Sequence, residues 1–309
     1  MADEHPQPSA NGRAIVASSF DLHVHVAPDV MRRLITDTEL AARYGDRGLG
    51  GFVLKSHYAS TAERAEVVRA AVPGVKVLGA ITLNGSVGGM NASAVEIAAR
   101  GGAKLVWMPT VDSLNQRRSL AKDPVGAKPP MWKMLQEELT EQGIASPPVL
   151  VLDDDGNVLP EVHSVLRTIA RHDIALATGH LSRDEIMVLV DAAVADGVKK
   201  IIVTHPEFTS QRLNAADQRI LADRGALLER CFTTPYTGKV QWAEMLDNIR
   251  AAGPENSFLS SDLGQPFNPP VEDGLALMTD HLVEAGFTGD EIRQMAVINP
   301  ARLVGEESW

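Results

Sequence analysis

Eight short apolar runs are spaced along the 309-residue chain, and most are followed by a segment with helical periodicity. This alternation constrains the fold more than any other feature of the sequence. The runs lie near 20–26, 50–58, 76–84, 103–110, 173–180, 199–205, 225–231 and 257–262. Helical patterns follow near 36–47, 60–72, 91–100, 183–196, 211–223, 239–252 and 272–286, with a short one near 289–297. Strands joined by helical crossovers pair in parallel. Eight such units are the number that closes a barrel, so the expected fold class is α/β, a (β/α)8 TIM barrel. An open doubly wound sheet is the alternative. Helix starts are marked by Thr61, by Asp290 after Gly289, and by Ser182 with Glu185 three residues on, a capping box.

The length suits one barrel with an insertion, since such barrels run to about 250 residues. Residues 1–17 read as a flexible N-terminal tail and 18–309 as one barrel domain, with an inserted lid or hairpin at about 113–160 after the fourth strand. The first part of the insertion is basic, with Arg117, Arg118, Lys122, Lys128 and Lys133 against Asp123. The second part reads as a hairpin around Gly156-Asn157. Asp153, Asp154 and Asp155 precede that turn, but the glycine is misplaced for a calcium-binding EF-hand loop, so a solvated turn is expected.

Charge narrows the partners. The formal net charge is −11, which opposes broad binding to nucleic acid or to an acidic membrane surface. No run approaches the roughly 18 apolar residues of a membrane-spanning helix. One cysteine, Cys231, leaves no internal disulfide and fits a cytoplasmic protein. A small-molecule substrate is the expected partner, and homo-oligomerisation is open.

Within the first run, Phe20, Leu22, Val24 and Val26 fall on one strand face and Asp21, His23 and His25 on the other. Two imidazoles at i and i+2 converge on one point, a geometry that suits a divalent metal. Of nine histidines, five (His23, His25, His57, His180 and His205) lie at the C-terminal end of an expected strand. Strand C-termini meet on the face where barrel active sites are built. The fifth run ends in Gly179-His180, the sixth in Thr204-His205 and the eighth in Ser261-Asp262. Imidazoles with a carboxylate are ligands for zinc, iron or manganese.

The order His23-x-His25, His180, His205, Asp262 resembles the amidohydrolase superfamily. Asn299-Pro300-Ala301, with Gly305 four residues on, is similar to a segment near the end of many members. The resemblance spans about residues 20–305. In detail the chain looks most like a poorly characterised, cytosolic amidohydrolase-like branch, with Leu54-Lys55-Ser56-His57 and Gly179-His180-Leu181-Ser182 as recurrent features. It implies a metal-dependent hydrolase in which His23, His25 and His180 bind the metal. By the same resemblance, His205 is a second-metal ligand or a transition-state stabiliser. Asp262 binds the metal and takes the proton of the attacking water. Zinc is the first expectation, with manganese or iron as alternatives and one or two ions.

The chain departs from that pattern at the fourth strand. The run ends Trp107-Met108-Pro109-Thr110, without the lysine or glutamate that two-metal members carry there. Lys55 lies at the end of the second run instead. A carboxylated Lys55 could bridge two metals, a free one could polarise a carbonyl or bind a carboxylate, and pairing with Glu229 is the bland reading. Glu229 could be a ligand, an anchor for one, or that partner.

Candidate substrate-binding residues are His57, Arg32, Asn84, Arg117 and Arg118, whose cations favour an anionic substrate. The glycine-rich 85–91 segment could hold an anion on its backbone N–H groups, or be a turn capped by Asn91. Hydrolysis of an amide, lactam, lactone or related C–N or C–O bond is the leading expectation. Non-oxidative decarboxylation, deamination and a non-catalytic small-molecule or metal-binding barrel are the alternatives.

Overall fold

The computed structural model of the protein describes residues 5–120, 131–144 and 147–306. Eight strands, β1 (Phe20–Val24), β2 (Gly51–Leu54), β3 (Lys76–Thr82), β4 (Ala103–Trp107), β5 (Ala175–Ala177), β6 (Ile201–Val203), β7 (Ala226–Cys231) and β8 (Ser257–Ser260), lie side by side in chain order. Every neighbouring pair is parallel. Beyond the end of β8, the Asp262 N–H donates to the His23 carbonyl (2.9 Å) and the His25 N–H to the Leu263 carbonyl (2.8 Å). These bonds and a parallel bridge between Val24 and Leu263 join the last strand to the first and close the barrel. Among the described residues, no helix is long and apolar enough to cross a membrane.

The core has the two shells that a barrel requires. Phe20, Leu22, Val53, Leu78, Leu105, Ile202 and Phe258 fill the interior, topped by Trp107. Alternate strand residues point outward, where Phe52, Leu54, Val77 and Leu259 pack with Leu40, Tyr44, Met245 and Leu275 of the surrounding helices. The opposite side repeats the pattern with Val106, Leu176 and Val203 against Val165, Ile169 and Leu189.

One strand breaks strict alternation, and it is the strand that carries the histidine pair. Phe20 and Leu22 belong to the interior cluster, whereas Val24 and Val26 belong to the outer one. The pairing of β1 with β2 shifts register between Asp21 and Val24, which makes the change of phase possible. His23 and His25 therefore follow Leu22 into the barrel. Asp21, expected on the face of His23, is directed elsewhere. Its Oδ1 accepts the backbone N–H groups of His23 (3.1 Å) and Ser261 (3.0 Å), and its carboxyl is pushed up to about 6 by burial.

Other expectations are refined. The N-terminal segment is helical over Ala10–Ile15, capped by Ser9, which also bonds Asp280 through both its N–H and its hydroxyl. Ser182 and Glu185 form the expected capping box. In the insertion, Leu152 bridges Val158 in an antiparallel hairpin whose turn contains Gly156 at φ 82°; the insertion also contains a helix at Met131–Glu141. A 13-residue helix at Pro160–His172 then returns the chain to β5. This helix lies outside those expected from periodicity, although Pro160 at the first helical turn and the apolar spacing Val162, Val165, Leu166, Ile169 mark it.

Two glycines beside the barrel mouth have no substitute. Gly264 has φ 125°, and a Cβ there would lie 1.6 Å from the His25 carbonyl oxygen. Gly179 has φ 62°, and a Cβ would lie 2.4 Å from the Met108 carbonyl oxygen. Each lets one site-bearing loop lie against another's backbone.

Candidate metal centre

At the C-terminal mouth the five histidines of the strand ends form a closed circuit. Ring centroids are 5.4 Å apart for His23 and His25, 5.0 Å for His25 and His57, and 6.3 Å for His57 and His180. The circuit closes through His180 and His205 at 5.0 Å and His205 and His23 at 6.1 Å. All five rings are buried or nearly so.

Asp262 reaches into this circuit from the end of β8. Its Oδ1 lies 3.1 Å from His23 Nε2 and 3.3 Å from His25 Nε2. Its Oδ2 accepts the Thr233 hydroxyl at 3.0 Å. Thr233 is a contributor the sequence did not reveal, because a threonine just past a strand carries no signal of its own. The backbone at Asp262 is left-handed, φ 53°, as is that at His205, φ 25°. Aspartate tolerates such a turn better than most residues; for His205 it is strain held in place by the surrounding packing.

Behind His23 stands Glu229. Its Oε1 is 3.0 Å from His23 Nδ1, and its Oε2 accepts the His205 backbone N–H at 3.3 Å. A carboxylate on the far nitrogen of a ligand histidine fixes the ring and raises its basicity. Glu229 touches His23, and Lys55 lies on the other side of that ring, so of the three readings the pairing of Glu229 with Lys55 is the one the geometry does not show. Lys55 Nζ is 2.7 Å from His23 Nε2 and 4.9 Å from the centre of the Trp107 ring.

Titration behaviour follows from burial and these charges. Burial holds His25, His57 and His180 well below the ordinary histidine range and His205 at about 4, so their imidazoles are neutral. Burial and Lys55 push His23 down as well, but Asp262 and Glu229 outweigh them and lift it to about 9. Burial would raise Asp262, yet the charge of His23 and the hydrogen bonds of His23 and His25 hold it well below the carboxylate range. Lys55 is lowered, chiefly by burial. The pocket thus favours a positive charge between Asp262 and Glu229.

These residues fit a divalent cation. Among the described residues, the ligand atoms of His23, His25 and Asp262 lie within 4.8 Å of one another, as do those of His23, Glu229 and Cys231. His180 and His205 stand outside both groups, in the circuit rather than at its tightest point. Each nonetheless has a buried Nδ1 with no hydrogen-bond partner, which is the state of a nitrogen able to ligate. His23 must shed its Nε2 proton before a cation can bind there, and Lys55 Nζ stands 2.7 Å from that nitrogen.

The expected substrate contacts are only partly brought together. His57 lies in the circuit. Asn84 is fully buried, and its amide ties three loops, so it is not presented to a substrate: it bonds the His57 carbonyl, the Thr110 hydroxyl and the backbone N–H groups of Thr110 and Asp112. Arg117 pairs with Asp112 at 2.7 Å, which neutralises the cation expected for an anionic substrate. Arg32 and Arg118 are exposed. The neighbouring Arg33, rather than Arg32, turns inward and pairs with Asp29 at 2.6 Å. Lys122 and Lys128 lie outside the described residues. In the glycine-rich loop, Asn91 caps the following helix and the Gly85 N–H donates to Asp112, so the turn reading holds.

Residues 18–229 match the model of a family described as a family of unknown function, DUF6282. No curated protein matches the chain. Solved structures share the fold at low identity. An amidohydrolase from Pseudomonas aeruginosa aligns over 96% of this chain and 98% of its own, with 10% identity and a TM-score of 0.60. The probable dipeptidase PvdM from the same organism covers 96% and 97%, with 10% identity and a TM-score of 0.63. A mutant organophosphorus hydrolase from Deinococcus radiodurans covers 94% of each chain, with 16% identity and a TM-score of 0.56.

Proposed function

We propose, for a chain that belongs to the DUF6282 family of unknown function, that it is a metal-dependent hydrolase of the amidohydrolase type. Its substrate is small and anionic, and the bond cleaved is an amide, lactam, lactone or related C–N or C–O bond. The observation that carries this reading is the meeting of His23 Nε2, His25 Nε2 and Asp262 Oδ1, from opposite ends of the sequence, at one point of the barrel mouth. The hydrolase names of the proteins sharing the fold support it.

His23 and His25 would hold the cation through Nε2 and Asp262 through Oδ1, with Glu229 fixing the His23 ring. A divalent cation, zinc first, supplies Lewis acidity there and a water acidified to near neutrality. Asp262, kept ionised by the two histidines, is the base that accepts a proton from the attacking water and returns it to the leaving group. His205, neutral and buried beside His180, borders the space above His23 and is suited to contact the reacting carbonyl. Of the cations expected to hold an anionic substrate, Lys55 lies among the site side chains, whereas Arg32, Arg117 and Arg118 do not.

Purified protein is expected to contain bound zinc by elemental analysis and to hydrolyse members of a panel of carboxylated lactones and cyclic amides, with oxygen from labelled water entering the product. Protein that takes up no divalent metal defeats the reading. Carbon dioxide release without label would replace hydrolysis by decarboxylation. Glu229→Gln should weaken zinc binding about 10–100-fold, measured by competition with a chromogenic chelator, because His23 loses its charged anchor. Unchanged affinity would remove Glu229 from the centre.

A further inference from the structure

The hydrogen-bond network beneath His57 fixes where its proton sits. Asn84 is buried, and its Oδ1 accepts the backbone N–H groups of Thr110 (2.9 Å) and Asp112 (3.2 Å), which settles the orientation of its amide. The Asn84 Nδ2 therefore donates, to the His57 carbonyl at 2.9 Å and to Thr110 Oγ1 at 2.8 Å. Thr110 Oγ1 accepts that bond and retains its own hydrogen. Thr110 is fully buried, and among the described residues its hydroxyl has one other partner, His57 Nδ1 at 2.8 Å. The hydroxyl donates to that nitrogen, because with a hydrogen on Nδ1 the Thr110 oxygen would accept from both His57 and Asn84 and its own buried hydrogen would have no acceptor among the described residues. A neutral imidazole that accepts at Nδ1 carries its hydrogen on Nε2. The ring stacks on His25 at 5.0 Å and stands 6.3 Å from His180, so it borders the proposed metal centre.

We propose that His57 is a catalytic hydrogen-bond donor, locked by Asn84 and Thr110 as the Nε2–H tautomer and directed at the substrate oxygen on which negative charge develops. The inference rests on the hydrolytic reading above and deepens it. A base role is closed to His57, because the Nε2 lone pair already holds the hydrogen and Nδ1 is occupied by Thr110. A donor fixed in advance needs no reorganisation when charge appears, which is what makes such groups effective. Nothing in the local sequence Lys55-Ser56-His57 distinguishes donor from base; three loops must meet to decide it.

The test uses the full chain labelled with ¹⁵N-histidine, with and without zinc. Nitrogen–proton correlations, assigned to His57 by their loss in His57→Gln, should show the Nε2–H tautomer. An Nδ1–H or doubly protonated pattern overturns the proposal. Thr110→Val should release the tautomer preference and Thr110→Ser should keep it; a tautomer indifferent to both variants overturns the locking. With inorganic phosphate as the oxyanion probe on zinc-loaded protein, His57→Phe should weaken binding at least about tenfold. His57→Gln, which presents an amide N–H near the same place, should bind within a few-fold of the unmutated chain. Equal phosphate affinity in His57→Phe and the unmutated chain rejects the donor, and zinc loss confined to His57→Phe makes the residue a ligand instead. If the unmutated chain takes up no zinc, the hydrolytic reading fails by itself, and the tautomer pattern of the metal-free protein still decides the locking.

Discussion

Asp262→Asn is expected to lower turnover about 10³–10⁴-fold, at the upper end of what a general base contributes, because the same side chain is also a proposed ligand. Asparagine keeps the shape and tolerates the left-handed backbone at this position, φ 53°, so the turn that closes β8 onto β1 is retained. What is lost is the negative charge that faces His23 Nε2 and His25 Nε2 through Oδ1 and is steadied by the Thr233 hydroxyl through Oδ2. An amide cannot accept the proton of an attacking water near neutral pH. The measurement is kcat and kcat/KM on the best lactone or amide found for the unmutated chain, with folding checked by circular dichroism. A variant that retains more than a tenth of the original kcat would remove Asp262 from the chemistry.

Arg230→Met should destabilise the fold by about 3–5 kcal/mol, the range found when one partner of a buried ion pair is removed. Arg230 lies on β7 facing outward from the barrel, and neither its side chain nor that of Glu207 has any exposure to solvent. The guanidinium bonds Glu207, Gln218 Oε1 (2.6 Å) and Ser257 Oγ (3.3 Å and 3.2 Å), and Asn248 also donates to Glu207 (3.3 Å). Without the arginine, a carboxylate remains in the core with one weak donor. Adding Glu207→Leu to Arg230→Met should recover most of the loss, since an apolar pair avoids the desolvation of both ions. Urea unfolding of the two variants distinguishes the cases, and equal instability of the single and double variants would show that the pair is not the source. Zinc binding should be unchanged throughout, because this pair lies on the opposite side of β7 from Glu229.

Much of the candidate centre was legible because of where its residues fall relative to strand ends. His23, His25, His57, His180, His205 and Asp262 each end an apolar run, and a parallel barrel brings such ends to one rim. The expected cations were less legible. Arg32, Arg33 and Arg117 look alike in sequence, and which of them is exposed, buried against Asp29 or paired with Asp112 depends on loops whose paths no periodicity records. Asn84 was expected at the substrate, whereas its amide satisfies backbone groups of two other loops.

The alternation of apolar strands and helical segments, by itself, determined eight parallel strands and the side on which their polar ends collect, because side-chain periodicity and crossover geometry are local properties of the chain; closure into a barrel came from the bonds between the ends of β8 and β1. Which nitrogen faces which carboxylate was decided only in three dimensions. The register shift in β1 turns His23 inward after Leu22, Gly264 lets the β8 loop lie against His25, and Glu229 reaches His23 across the barrel. Those outcomes depend on hydrogen-bond and charge pairing between segments up to about 240 residues apart, where each group's partner is fixed by packing rather than by its neighbours in sequence.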